Sequence, residues 1–306
     1  MKRLVLILLF FLLLMNLLPS CATQGAIRAE EYFSIGMAYY DLGNYAEAER
    51  WLLRARQSDR TMIASEYNLG RIAFETGRYE EASLYFESIL IRDPDNLMAL
   101  RSAAYSRIHN GDYEKALDLY SRILILVPES ADDGYNHALV LYSMEMYQDS
   151  ENVLLRYPLS LEVNPATILL LARVQKAQDK IEAIDSYAHW VTLSNSPSSQ
   201  GLFEYAEVLE GSEFYARALE QYDAALGAMN QDTANLSRAL IYFRTARLHL
   251  IADPESREGI LAFETAINLG YDDTSAIDEL MGNERISGDH RAEIQRLLEE
   301  RNSREQ

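Results

Sequence analysis

Apolar positions recur along this chain with a helical period, and the pattern itself recurs every 34 residues. Ile63 to Asn96 shows it most clearly, reading IASEYNLGRIAFETGRYEEASLYFESILIRDPDN. In its first half Tyr67, Leu69, Gly70, Ala73 and Phe74 fall at helical spacing. Gly77 then interrupts the helix, because glycine is unfavourable inside helices and suited to turns. In the second half Ala82, Phe86, Ile89 and Leu90 form one stripe. Pro94 cannot continue the helix, and Asp95 or Asn96 is suited to cap the next one. The unit predicted is an antiparallel helical hairpin, with Gly70 and Ala82 where the helices cross and Phe86 beside them. One hairpin cannot bury its own apolar face, so it must stack on copies of itself.

The phase holds over four copies. Gly36, Gly70, Ala104 and Ala138 are each 34 apart, as are Tyr45, Tyr79, Tyr113 and Tyr147. Gly43, Gly77, Gly111 and Glu145 follow the same spacing, and so do Ala48, Ala82, Ala116 and Ser150. The first unit is read as Ala29 to Met62. The fourth starts at Ala131, is degenerate at Glu145 and Ser150, and is cut short at Pro158. Pro158 and Pro165 are read as bracketing a break in register and a bend. Past them Ala183, Tyr187 and Trp190 mark a looser fifth unit, about residues 164–197. Ala218, Tyr222 and Ala225 mark a sixth unit from about Ser199. A seventh pairs 236–251 with 257–268, turning at Asp253-Pro254. Beyond Gly270 two further helices are expected, over 274–281 and 289–300. The last carries a narrow stripe of Ile294, Leu297 and Leu298, and is read as a polar cap on the open end or a docking tail.

The order L-G-x-x-A, then G-x-Y-x-x-A-x-x-x-F and a closing Pro, resembles the tetratricopeptide repeat. Leu69, Gly70, Gly77, Tyr79, Ala82, Phe86 and Pro94 carry the resemblance, while the motif's Trp site holds Glu66. The resemblance implies an all-α fold: a right-handed α-solenoid of stacked hairpins with a C-terminal capping helix pair. It also implies that first helices line a concave groove. The groove positions fall on Phe33, Met37, Tyr40, Tyr67, Arg71, Phe74, Arg101, Tyr105, Tyr135 and Tyr142, with Phe203 at the same place in the sixth unit. Tyrosine offers apolar contact with a polar tip, so this wall suits an extended peptide or an amphipathic helix. Some of these rings are expected simply to pack between neighbouring repeats. Arg71 and Arg101 are candidates for gripping a carboxylate, or for internal salt bridges to acids such as Glu66 or Glu75. The Lys and Asn clamp by which some family members hold chaperone tails is not reproduced, since its places are Phe33 and Met37, then Tyr67 and Arg71.

The chain begins with Lys2 and Arg3, followed by an apolar run from Leu4 to Met15 extended by Leu17 and Leu18. That is short for a spanning helix and fits the core of a secretory signal. Leu18-Pro19-Ser20-Cys21 resembles a bacterial lipoprotein signal, with Cys21 as the lipidated residue carrying palmitate-type acyl chains. An uncleaved anchor with an incidental cysteine is the other reading. Cys21 is the only cysteine, so the folded part has no disulfide. Ala22, in place of Asp, tilts the expected location toward the outer membrane. The expected organisation is a signal peptide over 1–20, a lipidated tether over 21–27, regular repeats over 28–158, degenerate repeats over 159–270, and capping helices with a charged tail over 271–306.

The net charge of −19 becomes −21 once Lys2 and Arg3 are removed with the signal, which disfavours nucleic acid and anionic lipid as partners. The five histidines show no metal-ligand spacing, and neither a phosphate loop nor a nucleophile elbow is present. No cofactor, metal site or catalytic residue is expected. The functional expectation is a membrane-anchored, periplasm-facing scaffold that binds protein or peptide partners of the bacterial cell envelope. The alternative is a ligand-binding or adaptor component of an envelope transport system. Bacterial lipoproteins of this build include adaptors for peptidoglycan hydrolases and a member of the outer-membrane β-barrel assembly machine.

Overall fold

The computed structural model describes residues 20–156, 164–232, 236–253 and 256–304, the side chains of 20–27 and 304 excepted. The apolar run before Ser20, Pro158, Pro254 and the Cys21 side chain lie outside the described residues. Among those residues every regular element is an α-helix. They fall into two compact units whose boundary lies between Met146 and Tyr147.

The first unit holds α1 (Ser20–Asp41), α2 (Tyr45–Ser58), α3 (Ile63–Glu75), α4 (Tyr79–Arg92), α5 (Leu97–His109), α6 (Tyr113–Leu126) and α7 (Ala131–Ser143). Successive helices are antiparallel and pack in chain order. Residues 21–27, expected to form a tether, are the opening turns of α1. Asn96, not Asp95, caps α5: its Oδ1 accepts from the Ala99 N–H at 3.0 Å. Ser130 caps α7 the same way. The core runs through the small residues of the pattern. Ala73, Ala82, Phe86, Ala103, Ala104 and Ala116 are buried in one cluster, and Ala48, Leu52, Leu69 and Ile72 in a second. Gly70 is required by close approach: a Cβ there would sit 2.7 Å from Cε1 of Phe86.

The second unit holds α8 (Tyr147–Leu154), α9 (Pro165–Ala177), α10 (Ala183–Leu193), α11 (Ser199–Gly211), α12 (Tyr215–Ala228), α13 (Arg238–Ala252), α14 (Arg257–Asn268), α15 (Thr274–Gly282) and α16 (Gly288–Arg304). Tyr187, Trp190, Ala218, Tyr222 and Ala225 are buried in its main cluster. The terminal helix buries Ile294 and Leu297 against Phe263, Ile277 and Leu280. The Arg301 guanidinium donates to the Tyr271 carbonyl at 2.9 Å. α16 therefore lies on the end of the stack as the apolar stripe predicts, with its charged face outward.

The structure corrects the expected break in register at Pro158. Each of the first six hairpin turns carries one residue in the left-handed region. These residues are Gly43, Gly77, Gly111, Glu145, Asp179 and Glu213, with φ of 72°, 75°, 79°, 60°, 54° and 61°. Every one is 34 positions from the next. Gly36, Gly70, Ala104, Ala138, Ala172 and Ala206 keep the same interval and are all buried. The phase thus runs unbroken through six units. The fifth unit sets Ile184, rather than Ala183, at the small-residue place held by Ala48, Ala82, Ala116, Ser150 and Ala218. The signal fades in the sequence because acidic residues replace glycine at three turns, although non-glycine residues adopt this backbone at a cost. The true shift comes after the sixth unit. Continued phase would begin α13 at position 233, yet it begins at Arg238.

Candidate binding face on the first helices

In the first unit the odd-numbered helices, α1, α3, α5 and α7, carry the residues singled out above. Phe33 is half-buried against the Ala48–Leu52 cluster, and Met37, Tyr135 and Tyr142 are half-buried as well. Tyr40 and Arg71 join α1 to α3. Arg71 Nη2 donates to the Tyr40 hydroxyl at 2.9 Å, and its guanidinium lies 4.5 Å from the ring centroid. Arg71 Nη1 donates to Asn68 Oδ1 at 3.0 Å. Burial holds the Tyr40 hydroxyl above its ordinary pKa, against the opposing charge of Arg71.

Tyr67 and Phe74 join α3 to α5. The Tyr67 hydroxyl is 3.1 Å from Ser102 Oγ, and its ring lies 5.2 Å from Phe86. Phe74 stacks on Tyr105 with centroids 5.2 Å apart. His109 meets Tyr105 edge-on at 4.6 Å and Phe74 at 5.1 Å. Tyr105 remains 49% exposed. Beside this stack is an open cleft of about 110 Å³ lined by Arg71, Phe74, Glu75, Phe86, Ser102 and Tyr105. The rings do pack between neighbouring repeats, and they leave one aromatic face open to solvent.

The two candidate arginines part ways. Arg101 forks onto the buried Asp133 of α7, with Nε at 2.9 Å from Oδ1 and Nη2 at 2.6 Å from Oδ2. Ser130 Oγ donates to the same carboxylate at 2.6 Å. Burial pushes the Asp133 carboxyl up, but these hydrogen bonds outweigh it and hold the pKa below the ordinary carboxylate value. The internal pairing therefore occurs at Arg101, with Asp133 rather than Glu66 or Glu75. Arg71 has no acidic partner among the described residues.

Phe203 does not belong to any wall. It is 5% exposed and packs 5.5 Å from Tyr222 of its own hairpin. The corresponding helices of the second unit present charge instead, which the sequence reading missed. Arg173 pairs with Glu204 at 2.8 Å and Lys176 with Glu207 at 2.6 Å. Arg247 pairs with Glu210 at 3.2 Å, and Glu210 also accepts from the Tyr222 hydroxyl at 2.6 Å. Burial, then the Glu210 charge, pushes the Tyr222 hydroxyl far up. The available signal was Glu204, Glu207 and Glu210 at three-residue spacing on a first helix, facing cations at similar spacing on the first helices before and after it. No group of three His, Cys, Asp or Glu residues suited to a metal is found among the described residues.

Stacked hairpins that keep a small residue at the crossing and a left-handed residue at the turn through six units define a helical-repeat protein. Residues 29–61 and 67–131 match models of the tetratricopeptide repeat. Those residues are tetratricopeptide repeats, and proteins of this family and fold are typically non-enzymatic scaffolds. The C-terminal part of a repeat protein from Cytophaga hutchinsonii superposes with a TM-score of 0.67 at 12% identity, covering 80% of this chain and 98% of that one. A tetratricopeptide repeat protein from Parabacteroides merdae superposes at 0.57 and 23% identity, covering 83% and 97%. YrrB, described as a repeat protein with an unusual peptide-binding site, superposes at 0.53 and 17% identity, covering 63% and 96%. These likenesses concern the fold. An uncharacterized lipoprotein of Treponema pallidum is 23% identical over 162 residues, 53% of this chain and 83% of the relative.

Proposed function

We propose that this protein is a lipid-anchored, non-catalytic scaffold of the bacterial cell envelope, holding a protein or peptide partner on the first-helix face of residues 28–146. The observation that carries the reading is the Phe74–Tyr105 stack, which joins two consecutive repeats and leaves Tyr105 half exposed above the 110 Å³ cleft. That cleft is far below the roughly 300–1,000 Å³ of sites that engulf a small ligand. It suits one apolar side chain of a longer partner, with Arg71, Glu75 and Ser102 at its rim for the partner's backbone. At this face it favours a peptide or protein occupant over an engulfed small ligand.

Anchoring rests on Cys21 after an apolar run, and the Treponema relative's lipoprotein name supports it. No described helix is long and apolar enough to cross a membrane. In this reading the secretory-type signal supports periplasm-facing attachment, and Ala22 in place of Asp favours the outer membrane over the inner. The test is crosslinking in the native envelope followed by partner identification, with wild type beside Tyr105→Ala. Tyr105 is the cleaner choice than Tyr67, whose ring and hydroxyl also serve the fold. Loss of the partner in a variant with unchanged melting is expected. Undiminished recovery refutes this face as the docking site.

A further inference from the structure

A second site lies at the opposite end of α3, among residues that depart from the repeat. Glu66 occupies the position held by Tyr32, Leu100 and Gly134 in the neighbouring copies. Arg56 stands where Leu90 and Leu124 stand, Arg60 where Pro94 and Pro128 stand, and Arg92 where Leu126 stands. Four positions that the architecture fills with apolar, small or proline residues are charged here, and the fold brings all four together. Glu66 is 5% exposed. Its Oε1 accepts from Ser88 Oγ at 2.5 Å and lies 3.3 Å from Arg56 Nη2, while its Oε2 accepts from Arg92 Nη2. Arg92 Nη1 donates to the Arg60 carbonyl at 3.0 Å, which ties the Arg60 loop to the same point. Arg60 itself is exposed, and its guanidinium has no ion pair among the described residues.

Leu53, Arg56, Gln57, Arg60, Glu66 and Arg92 line an open cavity of about 410 Å³. Three arginines against one glutamate give its wall a formal charge of +2, in a chain of net −19. A buried carboxylate is a poor way to stabilise a repeat, since a hydrophobe of similar volume does as well or better. What Glu66 does achieve is to hold two guanidinium groups in fixed positions with most of their N–H donors unused. Pre-oriented guanidinium forks are suited to planar or tetrahedral oxyanions. We infer that this cavity binds a phosphate-type oxyanion, with Arg60 closing over it and Arg56 and Arg92 beneath. The inference uses none of the residues of the aromatic face and stands apart from the partner-binding proposal.

Calorimetric titration of the full chain in neutral detergent with inorganic phosphate, at fixed ionic strength, tests it. We expect saturable binding, weakened about tenfold in Arg60→Gln, the loss typical of one charge-assisted contact, with unchanged melting. Glycerophosphoglycerol, the diester of an anionic lipid headgroup, is the second probe. Binding of phosphate alone assigns the site to a free phosphate or monoester, and binding of the diester assigns it to a lipid headgroup. No saturable heat with either probe, or equal affinity in Arg60→Gln, overturns the proposal.

Discussion

Phe86 lies against the bare Cα of Gly70, so closely that a methyl group on Gly70 would come within 2.7 Å of its ring. The ring is 2% exposed and backed by Tyr67 at 5.2 Å, so it has no free direction in which to retreat. Gly70→Leu should therefore separate α3 from α4 and destabilise the first unit by roughly 1–3 kcal/mol, the usual cost of overpacking. Urea denaturation followed by circular dichroism measures this. An unchanged midpoint would mean that the helix crossing lies elsewhere.

The turn at Glu213 offers the opposite change. Its φ of 61° is comfortable for glycine and strained for glutamate. Glu213→Gly should raise stability by about 0.5–1 kcal/mol, the relief of strain less the extra freedom glycine has in the unfolded chain. Its side chain is exposed and no packing is lost. A lower melting temperature would contradict the left-handed assignment at this turn.

Stability should also depend on pH through Asp133. Its folded pKa is lowered from the ordinary 3.8. A depressed carboxyl pKa contributes stability that is fully present above the unfolded value and is lost as pH falls through the lower folded one. Glu151 has the same sign: burial is outweighed by bonds from Lys180, Gln175 and Gln178. Acid titration of the unfolding midpoint should show a fall below about pH 4 that Asp133→Asn flattens. Arg101→Ala, which strands the Asp133 charge, should cost about 2 kcal/mol at neutral pH. That is less than for a fully buried pair, because Arg101 is half exposed to water.

Cys21→Ser should abolish acyl incorporation and release the protein from membranes, since firm attachment needs more than one chain. Labelled-palmitate uptake in cells expressing either form measures it. Label retained in the serine variant would place the modification elsewhere.

The sequence by itself determined the helical hairpin, its 34-residue period, and the aromatic character of the first-helix face. These are local properties: apolar periodicity, turn chemistry and capping act over a few residues and can be read in chain order. The tertiary structure decided what each side chain meets about 30 residues away. It sent Arg101 to Asp133, left Arg71 with Tyr40 and Asn68, and buried Phe203 while leaving Tyr105 open. It also carried the repeat through Glu145, Asp179 and Glu213, where the glycine signal is absent but the backbone is the same. Packing against neighbouring hairpins imposes that conformation on residues that do not favour it, so the period outlasts the motif that announces it.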